Sequence, residues 1–324
     1  MIKKYILSFI LVLFIVITSS YSVNAFLNNS AALNGDNYKK EKVGSCRRNT
    51  IVVDGIKRTY YICLPPKYNS KKAYPVLFVF HGGESNAKNI LKVTKFRNYQ
   101  SKYNFILVAP NGLGRFKQEF LLTWNAGHCA GYARDSKVNE INFFNAIIEQ
   151  IANLYNIDRK RIYLTGISNG AMLTYKIASL LPDIIAGIAP VAGAMNYIPN
   201  SHKNPIPVII FHGTEDKHIL YKGGIPLHIF EEKSRVDNSV SSAVNFWVKN
   251  NKCSIQPIRN KTKNIIIDKY TNCENNANVI LYTIIGAKHA WPGGKKDSLF
   301  GDNPSREINA SKIILDAFIQ DKYF

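Results

Sequence analysis

Three widely spaced residues have the types and the order needed for nucleophilic chemistry. Ser168 stands in the stretch Thr165-Gly-Ile-Ser-Asn-Gly-Ala-Met172, Asp216 follows 48 residues later, and His289 another 73 residues on. A serine hydroxyl is a weak nucleophile at neutral pH and needs a neighbouring base to take its proton. An imidazole titrates near that pH, and a carboxylate can fix its tautomer and stabilise its charged form. We therefore predict that Ser168 attacks a carbonyl, His289 is its base and Asp216 orients His289.

Glycines on both sides of Ser168 predict a sharp turn. The motif follows the apolar run Ile162–Leu164, and the apolar residues of 171–180 recur at the spacing of one helix face. A strand, then Gly-x-Ser-x-Gly, then a helix is the arrangement of a nucleophile elbow. A chance Gly/Ser turn is the alternative for five residues alone, and the Ser…Asp…His order weighs against it.

The turns at the ends of the apolar runs supply candidates for stabilising an oxyanion, which needs fixed hydrogen-bond donors. The backbone N–H of Asn169 opens the predicted helix and is the first candidate. For the second donor we predict the N–H of Gly83, with Gly82 as the next candidate. His81 and His212 precede glycines at such turns, and we expect them to shape the turns rather than transfer protons.

A long segment without regular period, 112–137, lies between two predicted elements. Irregular segments of this length in a compact domain are often functional. We predict that Trp124 and His128 of this segment line the substrate pocket. Trp291, two residues after the predicted base, is a further candidate for the pocket wall, with burial in the core as an equal alternative.

The elements that must position these residues alternate between strands and helices. Continuous apolar runs such as Tyr74–Phe80 and Pro207–Phe211 predict strands buried on both faces, and segments such as Val138–Tyr155 have helical spacing. This alternation predicts an α/β fold with a mostly parallel central sheet and helices on both faces. Asp54-Gly55 between two strand-like runs predicts an N-terminal antiparallel hairpin. Because function gathers at the carboxyl ends of parallel strands, we expect the three predicted catalytic residues to meet there.

The N-terminus has the form of a secretory signal. Lys3 and Lys4 precede the apolar run Ile6–Ile17, and Val23-Asn24-Ala25 offers a small-residue cleavage site. An uncleaved signal anchor is the alternative, and the apolar run is short for a membrane span. We predict a signal peptide over 1–25, a flexible leader over 26–43, and a single catalytic domain over 44–324. The predicted location is secreted, extracellular or periplasmic, with no membrane span after cleavage.

The chain is strongly basic, with 42 Lys and Arg residues against 22 Asp and Glu residues and a formal net charge of +20. Such a charge favours anionic surfaces, including acidic polysaccharide and anionic lipid headgroups. The basic residues are scattered, so a solvated basic face is the favoured alternative. No motif for specific nucleic-acid binding accompanies the charge, and we predict no such partner.

Five cysteines are present, and their spacing does not suit a metal site. Cys253 and Cys273 flank a polar segment that predicts a loop or a hairpin, and we expect them to form a disulfide. Cys63 alternates within a predicted strand and is expected to be a buried thiol. Cys46 with Cys129 is then the candidate for a second disulfide. We predict no metal site.

Several motifs together resemble the secreted polyhydroxybutyrate depolymerase/feruloyl esterase family, also grouped as carbohydrate esterase type 1. The resemblance runs from about Gly44 to the C-terminus and lies in Asp54-Gly-x-x-Arg-x-Tyr60, Gly166-Ile-Ser-Asn-Gly-Ala-Met172, His212-Gly-Thr-Glu-Asp216 and His289-Ala-Trp-Pro-Gly-Gly294. It implies an α/β-hydrolase fold, no cofactor and ester substrates. Polyhydroxyalkanoate, feruloylated polysaccharide and acetylated xylan are the substrate classes that the resemblance implies.

A secreted serine esterase that works through an acyl-enzyme is therefore our leading hypothesis. A secreted serine peptidase of the same fold is the second, and it would differ in the bond that is cleaved. The third is an exported binding protein without catalytic activity, which the high positive charge favours and the complete Ser-His-Asp set disfavours.

Overall fold

The structure is a computed structural model that describes residues 45–116, 118–129, 131–197, 199, 204–226 and 235–322. These residues belong to one compact unit, Val43–Phe324. The predicted signal peptide and leader, 1–25 and 26–43, lie outside the described residues. All the residues singled out above as catalytic, oxyanion-binding or pocket-lining candidates lie within them.

Ten strands in the described part of the chain form one mixed sheet. In chain order they are β1 (Cys46–Val53), β2 (Ile56–Cys63), β3 (Tyr74–Phe80), β4 (Ile106–Pro110), β5 (Ile157–Ile167), β6 (Gly187–Val191), β7 (Val208–Gly213), β8 (Ile258–Lys261), β9 (Ile265–Tyr270) and β10 (Val279–Ile284). Their order across the sheet is β1-β2-β4-β3-β5-β6-β7-β10-β9-β8. The six central strands from β4 to β10 are parallel, and an antiparallel hairpin closes each edge.

Helices connect the parallel strands. They are α1 (Ala87–Thr94), α2 (Gln100–Tyr103), α3 (Tyr132–Asp135), α4 (Glu140–Leu154), α5 (Asn169–Leu180), α6 (Val240–Asn250) and α7 (Ala310–Phe318), with short 3₁₀ segments at Phe96–Tyr99 and Glu274–Asn276. Side-chain oxygens cap four of them at the N-terminus, because Asn and Ser there can accept hydrogen bonds from backbone N–H groups that have no helical partner. The capping residues are Asn86, Asn139, Ser239 and Asn309.

The sheet is buried on both faces, as its continuous apolar strands predict. In β3, Val76, Phe78 and Phe80 belong to the cluster that α4, α5 and α6 cover. The alternate residues Leu77 and Val79 belong to the cluster under α1 and α7. Successive side chains of a strand point to opposite faces, so one strand supplies both cores. The predicted α/β-hydrolase architecture, with its N-terminal antiparallel hairpin, is confirmed.

Of the two disulfide predictions, one is confirmed and the other is wrong. Cys253 is bonded to Cys273, as we expected. Cys63, however, is not a buried thiol, because it is bonded to Cys46, and Cys129 is the buried free cysteine. The cause is the register of the β1–β2 hairpin, which places Cys46 opposite Cys63 with their Cα atoms 4.1 Å apart.

In the part of the chain that the structure describes, no helix has both the length and the apolar character needed to cross a membrane.

Candidate active site

Ser168 occupies a strained turn between β5 and α5. Its backbone has φ 58° and ψ −123°, a conformation that non-glycine residues rarely adopt. The two motif glycines allow this turn because the backbone passes very close to them. A Cβ on Gly166 would lie 2.6 Å from the carbonyl oxygen of Gly170, and a Cβ on Gly170 would lie 2.4 Å from the carbonyl oxygen of His81. The motif therefore forms the sharp strand–turn–helix elbow that the sequence predicts, with Ser168 at its tip.

Asp216 and His289 form a hydrogen-bonded pair. His289 Nδ1 lies 2.7 Å from Asp216 Oδ2. The other carboxylate oxygen, Oδ1, accepts hydrogen bonds from the backbone N–H groups of His218 and Ile219, each at 2.9 Å. Because the carboxylate only accepts, Nδ1 of His289 carries the hydrogen. Its Nε2 is then left unprotonated, which is the form that a general base requires.

Hydrogen bonds join the turn that carries Asp216 to the loop that carries His289. The N–H of Glu215 donates to the carbonyl oxygen of Ala287 at 2.9 Å, and the N–H of Gly286 donates to Thr214 Oγ1 at 2.8 Å. A Cβ on Gly213 would lie 2.2 Å from the Ala287 oxygen, so only glycine permits this approach. The end of β7 and the loop after β10 are thus joined immediately beside the Asp216–His289 pair.

The pair is electrostatically coupled. Burial disfavours the charged form of His289, but the Asp216 carboxylate outweighs burial and raises the pKa of His289 above its ordinary value. Burial likewise disfavours the Asp216 carboxylate, whose side chain is fully buried. The charges and hydrogen bonds of His289 and His212 outweigh that penalty and hold the pKa of Asp216 well below its usual range. Asp216 therefore stays ionised at neutral pH.

The sheet order brings Ser168 to the same edge as this pair. Ser168 follows β5, Asp216 follows β7 and His289 follows β10, and β5, β6, β7 and β10 are consecutive parallel strands. Ser168 is partly exposed, and so is His289, whose side chain is 13% accessible. Among the described residues, no hydrogen bond joins Ser168 to His289. Catalytic hydrogen bonds are often loose before substrate binds and tighten in the complex.

The two predicted oxyanion donors lie side by side. A Cβ on Gly83 would lie 3.8 Å from Asn169 Cβ, and a Cβ on Gly82 would lie 3.5 Å from Ser168 Cβ. Within the described residues, neither the N–H of Asn169 nor that of Gly83 donates a hydrogen bond to the protein. Asn169 is also the first residue of the 12-residue helix α5, whose N-terminus favours negative charge.

Trp124 is a structural residue and does not line a pocket, contrary to our expectation. Its side chain is fully buried, and its Nε1 donates to the carbonyl oxygen of His81 at 2.9 Å. Asn169 binds the Trp124 backbone twice, accepting from its N–H at 2.7 Å and donating to its oxygen at 3.2 Å. Trp124 thus joins the long segment 112–137 to the elbow and to the turn that carries His81, Gly82 and Gly83.

His81 shapes its turn, in keeping with its position before two glycines. The N–H of Gly112 donates to His81 Nε2 at 2.9 Å, so Nδ1 carries the hydrogen and donates to the Gly82 oxygen at 2.7 Å. Burial lowers the pKa of His81 to about 4, which keeps the imidazole neutral. A neutral, doubly bonded imidazole of this kind fixes the end of β3 against the end of β4.

Trp291 belongs to the core, which was one of the two alternatives. It is 1% exposed, its Nε1 donates to Ser311 Oγ at 2.9 Å, and its ring packs edge-on against Phe96 at 5.8 Å. His128 is exposed, and its carbonyl oxygen accepts from Asn196 Nδ2 at 2.8 Å. Of the three pocket candidates, only His128 has a side chain at the surface.

A buried ion pair stabilises the long segment 112–137. Arg58 Nη2 lies 2.9 Å from Glu140 Oε2, and both side chains are almost fully buried. The other oxygen of Glu140 accepts from the backbone N–H of Asn125 at 3.2 Å, and Arg58 donates to the oxygen of Asn111. Sequence reasoning did not assign a role to this pair, whose members are 82 residues apart.

Three further residues lie beside the Asp216–His289 pair; the sequence predicted only a turn-shaping role for His212 and singled out neither His218 nor Asp302. The His218 ring lies 4.9 Å from the His289 ring, and Asp302 Oδ2 accepts from the His289 backbone N–H at 3.2 Å. His212 Nε2 donates to the Ile219 oxygen at 2.8 Å and lies 3.4 Å from Asp216 Oδ2. His212 and His218 are close to Asp216 in sequence, which was the available signal; Asp302 is on a loop whose course no periodicity indicates.

Comparison with known proteins gives consistent results. Residues 58–214 match the family described as Esterase PHB depolymerase. Feruloyl esterase B of Piromyces equi is 28% identical over 247 residues, which are 74% of this chain and 44% of that protein. A bifunctional acetylxylan esterase/xylanase of Neocallimastix patriciarum is 28% identical over 148 residues, 46% of this chain and 20% of that protein. The chain thus spans less than half the length of either relative.

Solved structures agree on the fold. An acetyl xylan esterase from Aspergillus awamori superposes with a TM-score of 0.53 at 12% identity, covering 75% of this chain and 94% of that one. Together with the sheet order and the elbow, this shows that the chain has the α/β-hydrolase fold. Within that class, residues 58–214 are similar to the esterase family named above, and 74% of the chain is similar to the feruloyl esterase.

Proposed function

We propose that the protein is a serine esterase that hydrolyses carboxylic esters through an acyl-enzyme on Ser168. The observation that carries the proposal is the Asp216–His289 hydrogen bond of 2.7 Å at the sheet edge where the strained Ser168 turn also lies. The match of residues 58–214 to an esterase family supports the choice of an ester as the bond that is cleaved.

Each residue then has a chemical role. Ser168 Oγ attacks the ester carbonyl while His289 Nε2 takes its proton, and the N–H groups of Asn169 and Gly83 donate to the oxyanion that forms. His289 returns the proton to the departing alcohol, which leaves an acyl group on Ser168. A water molecule then attacks the acyl group with His289 again as base, and the acid product leaves. Asp216 holds the His289 tautomer and stabilises its charged form throughout.

The proposed substrates are acyl esters of polysaccharides, such as feruloyl or acetyl groups. The support comes from the relatives, which are named feruloyl esterase and acetylxylan esterase. We further propose that the protein is secreted, with a signal peptide over 1–25, a leader over 26–43 and the catalytic domain over 44–324. The two disulfides are consistent with an oxidising compartment. Mass spectrometry of the exported protein tests this, and a mature chain that begins at Phe26 is expected.

Replacing the nucleophile tests the catalytic proposal. Ser168→Ala is expected to lower p-nitrophenyl acetate hydrolysis by about 10⁴-fold or more and to abolish labelling by a fluorophosphonate probe. Ser101→Ala, at an exposed serine of α2, is the matched control and should retain both. Hydrolysis at the wild-type rate by Ser168→Ala would falsify the proposal. A parallel screen with peptide substrates separates an esterase from a peptidase of the same fold.

A further inference from the structure

A basic pocket lies at the C-terminal end of α1, and its described lining includes none of the proposed catalytic residues. It has a volume of about 450 Å³, within the range of small-ligand sites, and four of its lining residues are cationic. These residues are Lys92, Lys95, Arg97 and Lys295. None of the described lining residues is acidic. The ammonium groups of Lys92, Lys95 and Lys295 therefore place like charges around the pocket, which favours a bound anion.

The pocket walls are fixed by backbone contacts. Lys92 is in the last turn of α1, and Lys95 follows it in the left-handed conformation that ends the helix. The second wall is the loop that carries Lys295, whose backbone N–H donates to the Val93 oxygen of α1 at 2.9 Å. Arg306 Nη1 donates to the neighbouring Gly294 oxygen at 2.8 Å and secures the same loop. The charged groups are thus mounted on rigid elements, which lowers the cost of ordering them around a ligand.

Both walls are continuous with the proposed catalytic machinery. Lys295 is six residues after His289 in the same loop. The other wall is the end of α1, an eight-residue helix about 12 Å long that follows the turn carrying Gly83. Along the chain, the pocket is therefore connected to both the proposed base and the turn that carries a proposed oxyanion donor.

We infer that this pocket binds the carboxylate of a uronic-acid unit in an acidic polysaccharide. The inference rests on the proposed function, because it assumes that the esters cleaved are carried by polysaccharide. Lysine ammonium groups supply point charges for a carboxylate, the Asn98 amide can bind sugar hydroxyls, and Pro66 gives an apolar surface for a ring face. The described lining residues include no aromatic side chain on which a nucleic-acid base could stack.

A charge-reversal pair of variants tests the inference. The pocket variant, Lys92→Glu/Lys95→Glu/Lys295→Glu, reverses three of the four positive charges of the pocket. The control variant, Lys57→Glu/Lys160→Glu/Lys261→Glu, changes the net charge by the same amount at exposed strand positions outside the pocket. Binding of short oligogalacturonate and of its methyl ester is measured by titration calorimetry at low salt, in the Ser168→Ala background so that no ester is cleaved. We expect the pocket variant to weaken oligogalacturonate binding by about tenfold or more and the control to change it less than about twofold.

The outcomes separate this inference from the catalytic proposal. The methyl ester should bind at least about tenfold more weakly than the free acid, because it lacks the charge that the lysines contact. Equal weakening in both triple variants would mean that only net charge matters and would overturn the inference. So would equally tight binding of a DNA oligomer of the same charge. p-Nitrophenyl acetate hydrolysis, measured in the Ser168 protein carrying either triple substitution, should stay unchanged; the Ser168→Ala assay alone decides the esterase proposal.

Discussion

The two halves of the proposed catalytic site are held in place by different forces. The elbow around Ser168 is fixed by backbone packing, since a Cβ at Gly166 or Gly170 would meet carbonyl oxygens at 2.6 Å or less. The acid–base half is fixed by side-chain hydrogen bonds and charge, with Asp216 bonded to His289 and to two backbone N–H groups.

This difference predicts different responses to substitution. Changes at the elbow add atoms where there is no room, so they should act first on folding. Changes in the acid–base half can preserve shape while altering charge, so they should act first on rate. Substitutions that separate stability from rate therefore test whether the two halves are held as described.

The largest effect on rate is expected from Asp216→Asn. The amide keeps the size of the side chain and can still accept from the His218 and Ile219 N–H groups, but it can donate to His289 and stabilise the wrong tautomer. We expect kcat for p-nitrophenyl acetate to fall by about 10⁴-fold, with the circular dichroism spectrum unchanged.

Asp237→Asn is the matched control for this substitution. Asp237 is also buried and its Oδ1 pairs with Arg235 Nε at 2.7 Å, but it has no contact with His289. Its kcat should remain within about tenfold of the wild-type value, since it takes no part in the proton transfer. Equal losses in both variants would mean that the rate falls when any buried aspartate is neutralised, and that the His289 tautomer is not the cause.

The largest effect on stability is expected from Gly170→Ala. The added Cβ would lie 2.4 Å from the His81 oxygen and 2.5 Å from the Phe80 oxygen, so the end of β3 or the start of α5 must shift. We expect the free energy of unfolding to fall by about 1–3 kcal/mol, measured by urea denaturation. Gly83→Ala is the control for stability, because its Cβ would meet only Asn169 Cβ at 3.8 Å. If both variants unfold at the same urea concentration, packing does not fix the elbow.

The same contrast explains what the sequence could predict. The elbow depends on contiguous residues, Gly166 to Gly170, so its motif and flanking periodicity were sufficient. The Cys46–Cys63 disulfide was also accessible, because each cysteine is eight residues from the Asp54-Gly55 turn and a two-residue hairpin places such positions opposite each other. The turn predicts the two strands of the hairpin, and its register also predicts this pairing of the cysteines.

Other features depend on tertiary packing that no local pattern contains. Trp124 has the residue type and loop position of a pocket residue, but its burial follows from hydrogen bonds to His81 and to Asn169, which lies 45 residues away. The Arg58–Glu140 ion pair joins a hairpin strand to a helix 82 residues later. Long-range contacts of this kind decide which polar and aromatic residues of an irregular segment face inward.

The smallest effect is a shift in the pH profile, which measures the field around His289. Burial lowers the pKa of His289, and the charged groups that raise it are Asp216, then Asp297 and Asp302. The His218 ring lies 4.9 Å from the same ring, tilted by 34°. A general base works only when neutral, so kcat/KM should fall as pH decreases through the raised pKa, with a midpoint above the ordinary value of about 6.5. Asp297→Asn, which removes one exposed carboxylate, should move this midpoint to lower pH by a few tenths of a unit at low ionic strength.

Asp321→Asn is the control for net charge in the pH experiment. Asp321 is exposed and its charge acts on Tyr163 in β5. Its profile should match that of the wild type, and addition of salt should reduce the shift seen with Asp297→Asn, because exposed charges are screened over about 10 Å at 0.1 M ionic strength. A wild-type midpoint below 6.5 would mean that burial outweighs Asp216, and the acid–base half would then be held by hydrogen bonding without the electrostatic coupling described above.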